Sequence, residues 1–141
     1  IIMGLDQYAF KVKNQPNLPA VDCVFSEWNE DTQDWVNVVP KDDYEEIHYF
    51  RKHHDLQGWM QNLYNQKGGA NSRFNCNKVE LNLDDLDNLE SDVKNNTLPH
   101  TNGFFFGSGN TEGYKHETLE FVQKCRDVIN EGYRVFYDSW W

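Results

Sequence analysis

Four basic or titratable side chains in succession, Arg51-Lys52-His53-His54, followed by Asp55, are the part of this sequence best equipped for polar chemistry. They lie between a segment that alternates like a strand and one that repeats like a helix. A helix start leaves backbone N–H groups unpaired and its dipole favours negative charge, so the junction suits an anion, with Arg51 forking onto a phosphate or carboxylate. The competing reading pairs Arg51 and Lys52 with some of the chain's 23 carboxylates. A ligand site here would draw on Asp6, Arg51, Lys52, His53, Phe105 and Ser108, and requires three distant segments to meet in one pocket. Phe105 and Ser108 belong to Gly103-Phe104-Phe105-Phe106-Gly107-Ser108-Gly109, where glycine hinges and rings suit stacking on a flat ligand. The same composition also fits a buried strand or core plug, because exposed consecutive phenylalanines invite aggregation.

Other chemistry is poorly supported. His48, His53, His54, His100 and His116 show no HExxH or comparable spacing, and adjacent histidines diverge on either a strand or a helix. They read as surface or capping histidines, with no metal and no cofactor expected. Ser108, Ser139, Cys23, Cys76 and Cys125 lack a GxSxG elbow or another nucleophile context, so no catalytic residue is identified and the chain reads as a non-enzyme. Asp84, Asp85, Asp87, Glu90 and Asp92 surround a leucine stripe without the glycine of a calcium loop. They read as a solvated helix face, or as a mimic of DNA phosphates if they join other carboxylates in one continuous stripe.

The elements that must position these residues follow from periodicity. Residues 7–13 alternate, with Tyr8, Phe10 and Val12 on one face of a half-buried strand. Two prolines in 14–19 and the polar run 29–34 bracket a hairpin within 21–39, and a short strand follows at 47–51. From Asp55, the spacing of Leu56, Trp59, Met60, Leu63 and Tyr64 predicts a helix that Gly68 and Gly69 end. Residues 73–81 look extended. Asn82 caps a second helix whose inward face is Leu83, Leu86, Leu89 and Val93. A third helix over 114–131 turns Thr118, Phe121, Val122, Cys125, Val128 and Ile129 inward and stops at Gly132, and 133–141 is a last, aromatic strand beside the first or at an equivalent edge. The result is one α+β domain over 3–141, a mostly antiparallel sheet covered by about three helices, with no repeat or dividing linker.

Composition narrows the partners. The net charge of −10 opposes phosphate backbones and anionic lipid, which argues against direct nucleic-acid and membrane binding. No apolar run approaches the roughly 20 residues that span a bilayer, and no basic-then-apolar leader opens the chain, so a cytoplasmic setting with reduced cysteines is expected. Asn95-Asn96-Thr97 has the form of a glycosylation sequon that this setting would leave unused, and Tyr8 stands where a myristoylation motif needs Ser or Thr. Five Trp, seven Tyr and nine Phe must supply much of the buried area.

Met3-Gly4-Leu5-Asp6-Gln7-Tyr8, Tyr49-Phe50-Arg51-Lys52, Gly103-Phe104-Phe105-Phe106-Gly107 and Tyr137-Asp138-Ser139-Trp140, in that order, resemble small phage and bacterial proteins without an established activity. Those proteins open on an MGLD-aromatic strand, carry an aromatic-Arg-Lys step before a Trp-containing helix, and close on an aromatic strand. His53 and His54 depart from the small or neutral residues expected after the Arg-Lys pair, and Ile1-Ile2 reads as a reading-frame extension ahead of Met3. The resemblance implies a phage or environmental origin and a bacterial host cell. Together these readings describe an accessory protein that binds a host or phage protein, with a homodimer as a corollary if its rings exceed what one core can bury. The alternative is a protein or enzyme that binds a small molecule or phosphate ester around Arg51.

Overall fold

The computed structural model describes residues 4–103, 107–108 and 112–141, with the backbone alone at 102–103, 107–108 and 112. In chain order the elements are β1 (Asp6–Val12), a hairpin of β2 (Ser26–Asn29) and β3 (Asp34–Asn37), β4 (Tyr44–Arg51), α1 (His54–Gln66), β5 (Val79–Leu81), α2 (Leu83–Lys94), β6 (Asn102–Gly103), β7 (Gly107–Ser108), α3 (Lys115–Asn130) and β8 (Arg134–Trp140). The main sheet runs β4-β1-β8-β5 and every pair is antiparallel. This is the expected α+β architecture, with the last strand beside the first.

Each helix forms where its apolar period dictates. On α1, Leu56, Trp59, Met60, Leu63 and Tyr64 are all buried, and each such side chain contributes on the order of 1.5–3 kcal/mol of transfer free energy. Gly68 then takes φ +87°, a conformation cheap only without a Cβ. Asn82 caps α2 reciprocally: Asp85 N–H donates to Asn82 Oδ1 at 2.8 Å, and Asn82 N–H donates to Asp85 Oδ2 at 2.9 Å. Leu86, Leu89 and Val93 face inward as expected, but Leu83 is exposed. Leu83 occupies the first position after the cap, before the helix has turned its stripe onto the core. On α3, Thr118, Phe121, Val122, Cys125 and Val128 are buried, and Ile129 packs at the margin of the core.

Both sheet faces are covered, over different lengths. The three helices pack on the inner face around Ala9, Phe50, Val79, Leu81, Val135 and Tyr137. On the outer face, the chain flanking the hairpin supplies Cys23, Phe25 and Val39 to a second cluster with Val12 and Phe136. Phe10 and Val12 therefore pack under the hairpin's base, while Gln7 and Ala9 take the helix side. Between Ala9 and Phe10 the pairing with β4 skips Ile47. This bulge lets both Ile47 and His48 reach the inner cluster. Residues 73–78 are less regular than their sequence suggests, because Phe74 and Cys76 sit at φ +45° and +62° and break the run before β5. Strand β4 starts earlier than expected, its first residues being the end of the acidic run after Pro40.

Candidate functional site

The junction between β4 and α1 is made by Lys52 in the left-handed conformation, φ +61°, with its N–H donating to Leu5 O at 2.8 Å. That backbone costs a non-glycine residue about 1–2 kcal/mol, and it brings two cations to one place. Arg51 Nη2 and Lys52 Cε each lie 3.7 Å from where a Cβ on Gly4 would stand. Both side chains are exposed, and neither enters an ion pair among the described residues. Asp6, the cross-strand partner of Arg51, instead accepts a hydrogen bond from the Tyr49 hydroxyl, which pushes that phenol up to about 12.

His53 is 1% exposed, so it is not a surface histidine; it holds the N-cap position of α1, without a side-chain cap bond. Its ring stacks on Tyr114 at 4.5 Å and 8°, and Tyr114 in turn donates its hydroxyl to Arg51 O at 2.6 Å. The Thr118 hydroxyl donates to Tyr114 O, so at 2.9 Å it accepts from His53 Nε2, which fixes the neutral tautomer with Nδ1 unprotonated. Burial, reinforced by the charge of His54, pushes His53 down to about 3. His54 is also buried. Both histidines go inward because His53 is the N-cap that follows the turn at Lys52, His54 opens the helix, and the first turn lies against the core.

Of the six residues proposed for a ligand site, Asp6, Arg51 and Lys52 thus share one end of the sheet and His53 lies beneath them. Phe105 is outside the described residues. The backbone of Ser108 pairs with Asn102 in the β6–β7 hairpin, and its side chain is outside the described residues too. The chain entering that hairpin is tied to the start of α1, where Asp55 Oδ1 accepts from Thr101 N–H at 2.8 Å.

Beside this junction lies a polar network with no counterpart in the sequence reading. Gln7 accepts from His53 N–H at 2.8 Å and donates to both His53 O and the Tyr137 hydroxyl at 2.9 Å. The Tyr137 hydroxyl donates to Gln57 Oε1 at 2.5 Å, and Gln57 Nε2 donates to Ser139 Oγ at 2.9 Å and Phe74 O at 3.2 Å. All four side chains are buried. Every donor and acceptor of the two glutamines that these bonds use faces another protein group, so the arrangement fixes the register of β1, β8 and α1. The signal was a glutamine on the inward-facing positions of a strand and a helix.

The outer face is where the molecule presents unspent apolar surface. Across three strands, Arg51, Asp6 and Trp140 form one row, and Tyr49, Tyr8 and Asp138 the next. Trp140 is 63% exposed, and Tyr49, in the next row and across β1, is exposed too. Rings continue along the sheet from Tyr49 to Tyr8 (5.3 Å), Phe10 (6.3 Å) and Phe25 (5.4 Å). The hairpin grows directly from Phe25. In it Trp28 stands opposite Trp35, edge to face at 5.7 Å, and the two are 43% and 64% exposed. Asn29 Oδ1 accepts from Asp31 and Thr32 N–H at 2.9 and 3.2 Å, which closes the loop. Among the described residues the exposed large apolar side chains are Val24, Trp28, Trp35, Val36, Val38, Tyr49, Leu83 and Trp140, and all but Leu83 belong to this outer side.

The remaining groups are engaged elsewhere. Asp85 binds Lys67, Asp87 and Glu90 bind Arg126, and Asp92 takes Trp59 Nε1, so the acidic run of α2 is broken up by its own partners. Burial pushes the thiols of Cys23 and Cys125 up, and Cys76 alone is exposed among the three. A polar groove of about 460 Å³ between α1 and α2 is lined by Asn62, Gln66, Asn88 and Ser91. Among the described residues no group of three or more His, Cys, Asp and Glu is placed to hold a metal ion, and no helix is long and apolar enough to cross a membrane. Compared with protein-family models, curated proteins and solved structures, the chain matches none.

Proposed function

We propose that this domain is a non-enzymatic accessory module that binds another protein through its outer face and hairpin. One observation carries the reading: the exposed rings gather on one side of a domain whose two cores are already filled. Trp and Tyr give large contact area at little entropic cost and dominate protein interfaces. Exposed rings on this scale are otherwise a liability to a lone domain. The motif resemblance supports a phage-encoded protein acting in the bacterial cytoplasm on a host or phage partner. The test is affinity capture with the native chain, Trp28→Ala/Trp35→Ala, and Leu83→Ala as the control on the opposite side. A partner held by the native chain and by Leu83→Ala, and lost by the tryptophan variant, is expected. Equal capture by all three would sink the reading.

A second reading has its own observation, two cations without an ion pair among the described residues that converge at Gly4 in a chain of net charge −10. On this reading Arg51 and Lys52 bind a phosphate ester or carboxylate. A thermal-shift screen decides it: an anion present at 100 times its Kd stabilises by about 2.7 kcal/mol, and Arg51→Ala must abolish that shift.

A further inference from the structure

Resting on the protein-binding reading, we infer that the Trp28–Trp35 hairpin captures a lysine- or arginine-bearing segment of its partner, with indole faces receiving the cation and hairpin carboxylates its neighbours.

Both faces of the hairpin are open to solvent along β3, and nearly so along β2. A two-stranded hairpin alone is marginal in water, so the tryptophan pair has a structural use as a cross-strand contact. That use consumes one edge-to-face contact and leaves most of Trp35 exposed. The charge around the pair is one-sided. Residues 14–40 contain five acidic residues and no lysine or arginine, and Glu27, Glu30, Asp31 and Asp34 all sit on the hairpin. Glu27 and Asp31 have no side-chain hydrogen bond or ion pair among the described residues. At the hairpin's base Lys78 already pairs with Asp138 at 3.1 Å and lies 4.5 Å over the Phe25 ring.

Rings elsewhere in the chain also show how it receives cations. Lys78 over Phe25 is joined by Arg134 over Phe136 at 5.0 Å, and Lys11 stands over Tyr133 at 4.6 Å. Tryptophan is the best ring for this contact, yet no cation of the described residues covers Trp28 or Trp35. An acidic partner would meet like charge at the hairpin, and a neutral apolar one would leave its carboxylates unused. A second copy of this chain would bring the same carboxylates face to face, which like-charge repulsion opposes.

The experiment follows the indole N–H resonances of Trp28 and Trp35 in the full chain, titrated with three short peptides of matched length: lysine- and arginine-bearing, glutamate-bearing, and neutral. The expected result is that the basic peptide shifts both signals, binds at least about tenfold more tightly than the neutral one, and weakens as salt rises. Glu27→Lys/Asp31→Lys should remove that preference while leaving the melting temperature unchanged, because neither carboxylate supports the fold. If the neutral or acidic peptide shifts the signals equally, the inference falls and hairpin docking stands. If no peptide shifts them but capture remains tryptophan-dependent, the inference falls alone; if capture is also lost, both readings fall.

Discussion

Replacing Gln57 with Met keeps side-chain length and helix propensity but strips out the centre of the buried network. The Tyr137 hydroxyl loses its acceptor, Ser139 Oγ loses a donor, and so does the Phe74 carbonyl. An orphaned buried polar group costs about 1–3 kcal/mol. The Phe74 carbonyl keeps the Trp141 indole N–H, so two groups are orphaned, the Tyr137 O–H and Ser139 Oγ, for a loss of about 2–6 kcal/mol, a large share of the roughly 5–15 kcal/mol that holds a domain folded. Tyr137→Phe alone should cost about 1–3 kcal/mol, because it strands Gln57 Oε1 and one N–H of Gln7. In the Gln57→Met background the Gln57 acceptor is already absent, so the same change strands the Gln7 N–H alone and should cost clearly less. Urea denaturation of the four proteins in this cycle reads the coupling, expected to exceed about 1 kcal/mol. Additive losses within about 0.5 kcal/mol, or a Gln57→Met loss below about 1 kcal/mol, would refute the claim that these side chains act as one network.

Three further outcomes follow. Because the folded-state value for His53 lies far below its ordinary 6.5, only the unfolded chain takes up that proton on acidification, so stability is full above about 6.5 and declines below it. From about pH 6.5 to pH 5 the loss should be about 2 kcal/mol, with His48 adding in the same direction, and the urea midpoint of His53→Gln should fall less steeply than that of the native chain. Gly69→Ala would set a Cβ 2.2 Å from the buried Tyr64 ring, so it should lower stability by about 1–3 kcal/mol, checked by thermal melting; an unchanged melt would contradict the packing described. A thiol reagent should label Cys76 in the native protein and reach Cys23 and Cys125 only on unfolding, read by mass spectrometry.

Most elements were legible in the sequence because their signals are local. The stripe on α1, the cap at Asn82 and the glycines at 68 and 132 each specify their neighbours directly. What was not legible depended on where the chain goes next. Alternation put Tyr8, Phe10 and Val12 on one face correctly, but only the fold shows that the hairpin's base covers part of that face and leaves Tyr49 and Trp140 in water. A last strand so aromatic was expected to be sheltered, and its middle is, whereas Trp140 projects from the uncovered end. His53 and His54 read as surface residues because nothing local says that the helix begins one residue after a left-handed turn. Gln7 and Gln57 carried no motif, since their partners come from distant segments: His53, Phe74 and β8. At the candidate site, Asp6, Arg51 and Lys52 were brought together by strand pairing, a relation that the run Arg51-Lys52-His53-His54 could not encode for Asp6.

The sheet order also imposes a timetable on folding. Strand β8 lies between β1 and β5, and the bond from Gln7 to Tyr137 joins residues 130 positions apart. Until β8 has been synthesised, β1 can pair with β4 alone and β5 has no long strand to join, so each keeps a bare edge. Closing so long a loop carries an entropic toll that slows assembly, and the helices wait with their apolar stripes uncovered. The nascent chain therefore spends its most vulnerable interval with strand edges, phenylalanines and the tryptophan hairpin all accessible at once. Its yield in a cell should be governed by how quickly the final strand is captured, a kinetic demand that the stability of the finished domain does not reveal.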